Sequence, residues 1–108
     1  MKITVRDHVK LSQDKMAKIA LAVTPRAQLD LYCLAPGQAQ KPHHHADQDK
    51  ICFVLEGVGT FSRDGHDDVL SPGDAVVFPA GSEHGILNSG SVELLVLVVV
   101  TPPPPHAT

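Results

Sequence analysis

Tryptophan is missing from this chain, and four other aromatic residues, Tyr32, Phe53, Phe61 and Phe78, are all it has. A platform that stacks bases needs several exposed rings, so nucleic acid is not expected as a partner. Basic blocks are missing as well: Lys and Arg number 9 against 12 Asp and Glu, a formal net charge of -3. Without clustered positive charge, nucleic acid and anionic membrane surfaces are poor candidates as main partners. No apolar run approaches the ~20 residues that span a bilayer. The longest is Leu94-Leu95-Val96-Leu97-Val98-Val99-Val100. Met1 to Asp7 holds no apolar core of a secretory leader, so the expected location is cytoplasmic. The two cysteines, Cys33 and Cys52, then read as reduced thiols rather than a disulfide framework.

Short extended runs between turn residues fill most of the chain. Runs are expected at 18–23, 28–34, 51–55, 59–63, 69–70, 75–78, 85–88 and 92–100, each closed by Pro, Gly, Asn, Asp or Ser. In the second of these, Leu29, Leu31 and Cys33 share one face. Asp64-Gly65 is a strong hairpin dipeptide. The 108 residues suit one domain. Around eight strands with turns about every 8–12 residues indicate an all-β sandwich or barrel. The domain is expected over residues 1–101, with a Pro-rich, extended tail at 102–108. Residues 11–20 could hold one helical turn. Residues 92–100 are apolar on both faces and must be covered on both, which a second copy of the chain would do in a two-fold dimer.

Chemistry is concentrated in His43-His44-His45 and in His84. His43 and His45 are two apart, so a strand would point both to one face. His84 follows the turn Pro79-Ala80-Gly81. Two imidazoles from one strand and a third from a distant one make a donor set for a divalent transition metal such as Fe, Ni, Zn or Mn. His44 should face the other way. His66, beside Asp64-Gly65, reads as a solvated loop residue, and Cys52 as a small core residue.

The stretch from Gly37 to Gly57 resembles the first motif of the cupin family: Gly, five residues, His-x-His, three or four residues, Glu, six residues, Gly. The stretch from Gly73 to Asn88 resembles the second: Gly, five residues, Pro-x-Gly, two residues, His, three residues, Asn. The second match is complete. The resemblance implies a small jelly-roll barrel, or double-stranded β-helix, usually dimeric, with a metal or ligand site inside.

The first match departs from the pattern at the Glu. Counting back from Gly57 puts Lys50 there; counting on from His45 puts Asp49 there. A slip of one residue flips a side chain to the other face, so the count from Gly57 places Lys50, Cys52 and Val54 inward and Asp49 outward. An ammonium cannot coordinate unless it loses its proton. Lys50 should therefore weaken metal binding, turn toward the mouth, or have a lowered pKa. The plain alternative is a lysine whose stem is buried and whose head stays in water.

Three functions follow as expectations. One is a barrel holding a divalent metal on His43, His45 and His84, with an anionic or enolic small molecule beside it. As an enzyme it would be a dioxygenase-type oxidoreductase, with Lys50 pairing with the substrate's negative charge. A second is a non-catalytic sensor or binding module. A metal-independent isomerase using a histidine base is a third, with Tyr32 as a possible but unplaced proton donor.

Overall fold

A computed structural model describes residues 1–44 and 47–104, with the backbone alone at 43 and 44. Nine strands are present among the described residues: β1 (Ala17–Val23), β2 (Gln28–Leu34), β3 (Ala39–His44), β4 (Asp49–Glu56), β5 (Gly59–Arg63), β6 (His66–Leu70), β7 (Ala75–Phe78), β8 (Glu83–Leu87) and β9 (Leu94–Thr101). They form two antiparallel sheets, ordered β1-β2-β9-β4-β7 and β3-β8-β5-β6, facing each other as a jelly-roll barrel. The helical turn expected within 11–20 is absent, because Ala17 to Ala20 pair with β2 instead. A 3-10 turn lies earlier, at Val5–His8. Of the expected tail, 102–104 are irregular, and 105–108 lie outside the described residues.

Period-two alternation builds the core. In β4, Lys50, Cys52 and Val54 are buried while Asp49, Ile51 and Phe53 are exposed. β9 is central in the larger sheet and contributes Leu94, Val96, Val98 and Val100 to the interior. Phe61 and Phe78 meet there at 6.5 Å between centroids. The Leu31–Cys33 face of β2 lies outside the barrel. It joins Leu95 in a second apolar cluster, covered by Val5 and Val9 of the N-terminal segment. The other face of β2, carrying Gln28, Asp30, Tyr32 and Leu34, points into the barrel. Cys33 and Cys52 are both free and buried.

The N-terminal segment therefore covers one end of the outer face of β9. Leu97 and Val99 beyond it stay half-buried. They pair with exposed Phe53 and Ile51, and Ile51 pairs in turn with exposed Val77. An apolar strip crosses three strands there.

Turn chemistry fixes the ends of the barrel. Asp64 and Gly65 both have positive φ, 50° and 83°, as a two-residue hairpin between β5 and β6 requires. His66 is thus the first residue of β6, not a loop residue; it stays solvated, with Nε2 3.3 Å from the Asp68 carboxylate. Gly57, at φ 84°, lies against the backbone of Glu93 and Leu94, where a Cβ would collide. Asn88 is 1% exposed and ties three segments together. Its Nδ2 donates to the carbonyls of Leu34 and Val92, both at 2.9 Å, and its Oδ1 accepts from the Gly90 amide at 3.0 Å. Asn88→Ala leaves these buried groups unsatisfied, so it should lower unfolding stability by about 2 kcal/mol. Urea unfolding should show a lower midpoint with an unchanged slope.

Candidate functional site

β8 carries His84 into the barrel wall. The turn before it is closed by the Ser82 amide and hydroxyl, both donating to the Pro79 carbonyl, at 3.1 and 2.7 Å. His84 is 2% exposed and stacks on Phe78, with centroids 4.5 Å apart and planes 16° apart. Its Nδ1 lies 3.3 Å from the Ser82 carbonyl oxygen. An Nδ1–H donated to that oxygen leaves Nε2 as the lone-pair nitrogen, the tautomer a metal ligand needs.

β3 is the neighbour of β8, and its register sets His43 opposite His84 and His44 opposite Glu83. The register shifts between Gln40 and His43, and Gly85 makes the shift possible. A Cβ on Gly85 would come 2.8 Å from the Gln40 carbonyl oxygen and 2.9 Å from the Pro42 nitrogen. The side chain of His43 and the whole of His45 lie outside the described residues. Among the described residues, no three His, Cys, Asp or Glu side chains converge as a metal-binding group.

The two candidates for the fourth position separate cleanly. Asp49 is on the outside, and its Oδ1 accepts the Ala80 amide at 2.8 Å. It caps the β7–β8 loop and takes no place in the interior. Lys50 faces inward from the same strand, between Val100 on β9 and Phe78 on β7. It is 4% exposed, so its head is not in water as a snorkelling lysine's would be.

Lys50 Nζ donates to the Tyr32 hydroxyl at 3.3 Å and lies 5.9 Å from the centre of the Tyr32 ring. Lys18 Nζ, from β1, lies 5.2 Å from the same centre. The Gln40 side chain hydrogen-bonds Tyr32 from β3. Asp30 is buried two residues from Tyr32, and its Oδ1 accepts from Gln28 Nε2 at 2.7 Å. No described carboxylate lies within ion-pair distance of Lys50 Nζ. Buried and close to the positive charge of Lys18, Lys50 has its pKa lowered to about 8, despite the opposing pull of Cys52 and Asp30. Burial pushes the Cys52 thiol up to about 12, so it stays protonated and gives Lys50 no anion at neutral pH. Burial and the Asp30 charge raise the Tyr32 hydroxyl further, which keeps it a neutral phenol.

Sequence reading named Lys50 and Tyr32 but missed the polar group they belong to. Its signal was present: Gln28, Asp30 and Tyr32 alternate along β2 as regularly as Leu29, Leu31 and Cys33 do. The apolar parity drew attention as the core, yet it is the outer face.

The lowered pKa carries a stability consequence. Between pH 8 and 10.5 the unfolded chain holds a proton on Lys50 that the folded chain has released, so stability rises with pH across that window. Below pH 8 both states are protonated and the penalty of burying the ammonium is fully present. Lys50→Met should therefore gain up to about 3 kcal/mol at pH 7, with the gain shrinking above pH 8. Cys52 opposes the rise above pH 9, its unfolded thiol ionising first. The difference between wild type and Lys50→Met in denaturant unfolding cancels that term.

Comparison with known proteins places these residues in context. The cupin domain family matches the chain over residues 30–100. An oxalate-binding protein of Thermotoga maritima is 33% identical over 67 residues, covering 62% of this chain and 55% of that protein. An acireductone dioxygenase of Bacillus thuringiensis is 42% identical over 50 residues, covering 42% of this chain and 29% of that protein. The crystal structure of TT1209 from Thermus thermophilus superposes with a TM-score of 0.91 at 39% identity, covering 96% of this chain and 100% of that one. The chain spans about half the length of the curated relatives it matches.

Proposed function

The chain belongs to the cupin domain family, and on that premise we propose that its barrel binds one divalent transition metal through His43, His45 and His84 and holds a small anionic or enolic molecule beside it. The observation that carries the reading is the backbone register that sets His43 opposite a buried His84 whose Nδ1 faces a carbonyl oxygen. The donor set fits such a metal: three imidazoles serve Fe, Ni, Zn and Mn alike. Lys50 does not fit as a fourth ligand while it keeps its proton.

Bound there, the metal supplies open positions for a ligand and the means for oxidation by dioxygen. This chain's own residues supply the rest. Three neutral imidazoles leave the dication uncompensated, and Lys50 adds a further positive charge at neutral pH. Both select an anion. Phe78 and the interior of Val96, Val98 and Val100 exclude water, which strengthens that selection.

The relatives illustrate two versions of this chemistry. An acireductone dioxygenase is a catalyst and an oxalate-binding protein is a binder. A dioxygenase-type oxidation of an anionic or enolic substrate is the catalytic version we favour. A non-catalytic binder of small anions is the second reading, supported by the buried ammonium in the place of a carboxylate. In either version the apolar strip of Ile51, Phe53 and Val77 is best covered by a second copy in a two-fold dimer.

Chelator-stripped protein titrated with Fe²⁺, Ni²⁺, Zn²⁺ and Mn²⁺ should take up one metal per chain for at least one of them. Lys50→Glu should tighten that binding about tenfold or more, and His84→Ala should weaken it by at least as much. Uptake below about 0.1 metal per chain for all four ions would overturn the metal reading. Oxygen consumption with thiols, diketones and phenolic acids then separates catalyst from binder.

A further inference from the structure

β1 and β3 are the edge strands of their sheets, and a groove of about 790 Å³ runs between them. This is a seam in the barrel wall. Lys10, Lys15 and Lys18 line it on one side, Ala39 and Gln40 on the other. Three ammonium groups and no carboxylate make it a path for an anion. Lys18 and Gln40 both also touch Tyr32, from the ring and from the side chain's polar end. Tyr32, itself buried, accepts a hydrogen bond from the amine of Lys50.

We propose that Lys50 forms an imine with a small oxo acid that enters through this seam, its carboxylate held by Lys18 and its carbonyl brought to Lys50 Nζ. The proposal takes from the preceding reading only the anionic character of the ligand, and it requires no metal. Burial and the nearby Lys18 charge keep part of the Lys50 population neutral near pH 7, and a neutral amine is the nucleophile. The Nζ lone pair attacks the carbonyl carbon, and the carbonyl π pair moves to oxygen. One proton passes from nitrogen to that oxygen, relayed through the Tyr32 hydroxyl, which gives a carbinolamine. A second proton from nitrogen accompanies the hydroxyl as it departs. The C–O bond breaks, the C=N bond forms, and one water is released with no net oxidation. Asp30, held by Gln28, supplies a fixed negative charge near the two lysines when the amine is cationic.

Glyoxylate tests the idea on the full chain after chelator treatment, at pH 7, with cyanoborohydride to trap imines. Peptide mapping by mass reads the trapping rate at each lysine. Lys50 should be modified about tenfold faster than exposed Lys2 in the same sample. The Lys50-to-Lys2 ratio should be lower with acetaldehyde, which lacks the carboxylate, and Lys18→Gln should lower it by a larger factor for glyoxylate than for acetaldehyde, where only the lost charge effect on the amine is felt. Modification of Lys50 no faster than Lys2 overturns the proposal. An equal ratio for the two aldehydes overturns the role given to Lys18. Because the protein is metal-free, failed metal uptake leaves this result standing, and a failed adduct leaves the metal reading standing.

Discussion

Lys50 holds its ammonium 3.3 Å from a phenol oxygen inside a barrel of valines, with no carboxylate at ion-pair distance among the described residues. Charge in such a place is costly, and the cost is not repaid by a partner. Two polar neighbours and partial loss of the proton moderate it. Tyr32 accepts the hydrogen bond, Asp30 contributes a negative field, and part of the proton population leaves. The arrangement of the interior follows from that cost. The polar face of β2 turns inward to meet Lys50, and its apolar face turns outward. The N-terminal segment then has an apolar surface to cover.

His84 belongs to the same interior but to the opposite sheet. Phe78 links the two, stacking on His84 and sitting in register with Lys50. A donor nitrogen and an amine thus flank one aromatic ring. In a barrel where a carboxylate occupies the Lys50 position, that carboxylate offsets a metal's charge. With the proposed metal bound, Lys50 would add charge of the same sign, and balance would fall to the small anion proposed beside it. On that proposal the anion is structural as well as chemical, because it would neutralise a positive site.

Much of the fold was legible in the residues, for reasons that differ from strand to strand. The faces of β4 followed from the glycine spacing, whereas β9, apolar on both faces, was legible as a strand that must be covered on both. Asp64-Gly65 fixed a hairpin because both positions need positive φ. β3 was legible only through His43 and His45, since Gln40, Lys41 and Pro42 carry no strand signal and the pairing there is irregular. The glycine spacing placed Lys50 inward and Asp49 outward, which the side chains follow. That spacing could not say that the Lys50 head is buried. Burial depends on side chains such as Tyr32 that other strands bring to it, and period two within one strand does not report those contacts. The same limit hid Lys18 and the seam between β1 and β3.

The protonation of Lys50 in the folded protein is the quantity on which the site's electrostatics, its ligand preference and its reactivity all rest. Chain labelled with ¹³C at the lysine ε carbons, followed by NMR from pH 6 to 11, measures it directly. One resonance, missing in Lys50→Arg, should titrate with a midpoint near 8. If that resonance titrates with the exposed lysines, near 10.5, Lys50 is solvated and the account of the interior is wrong.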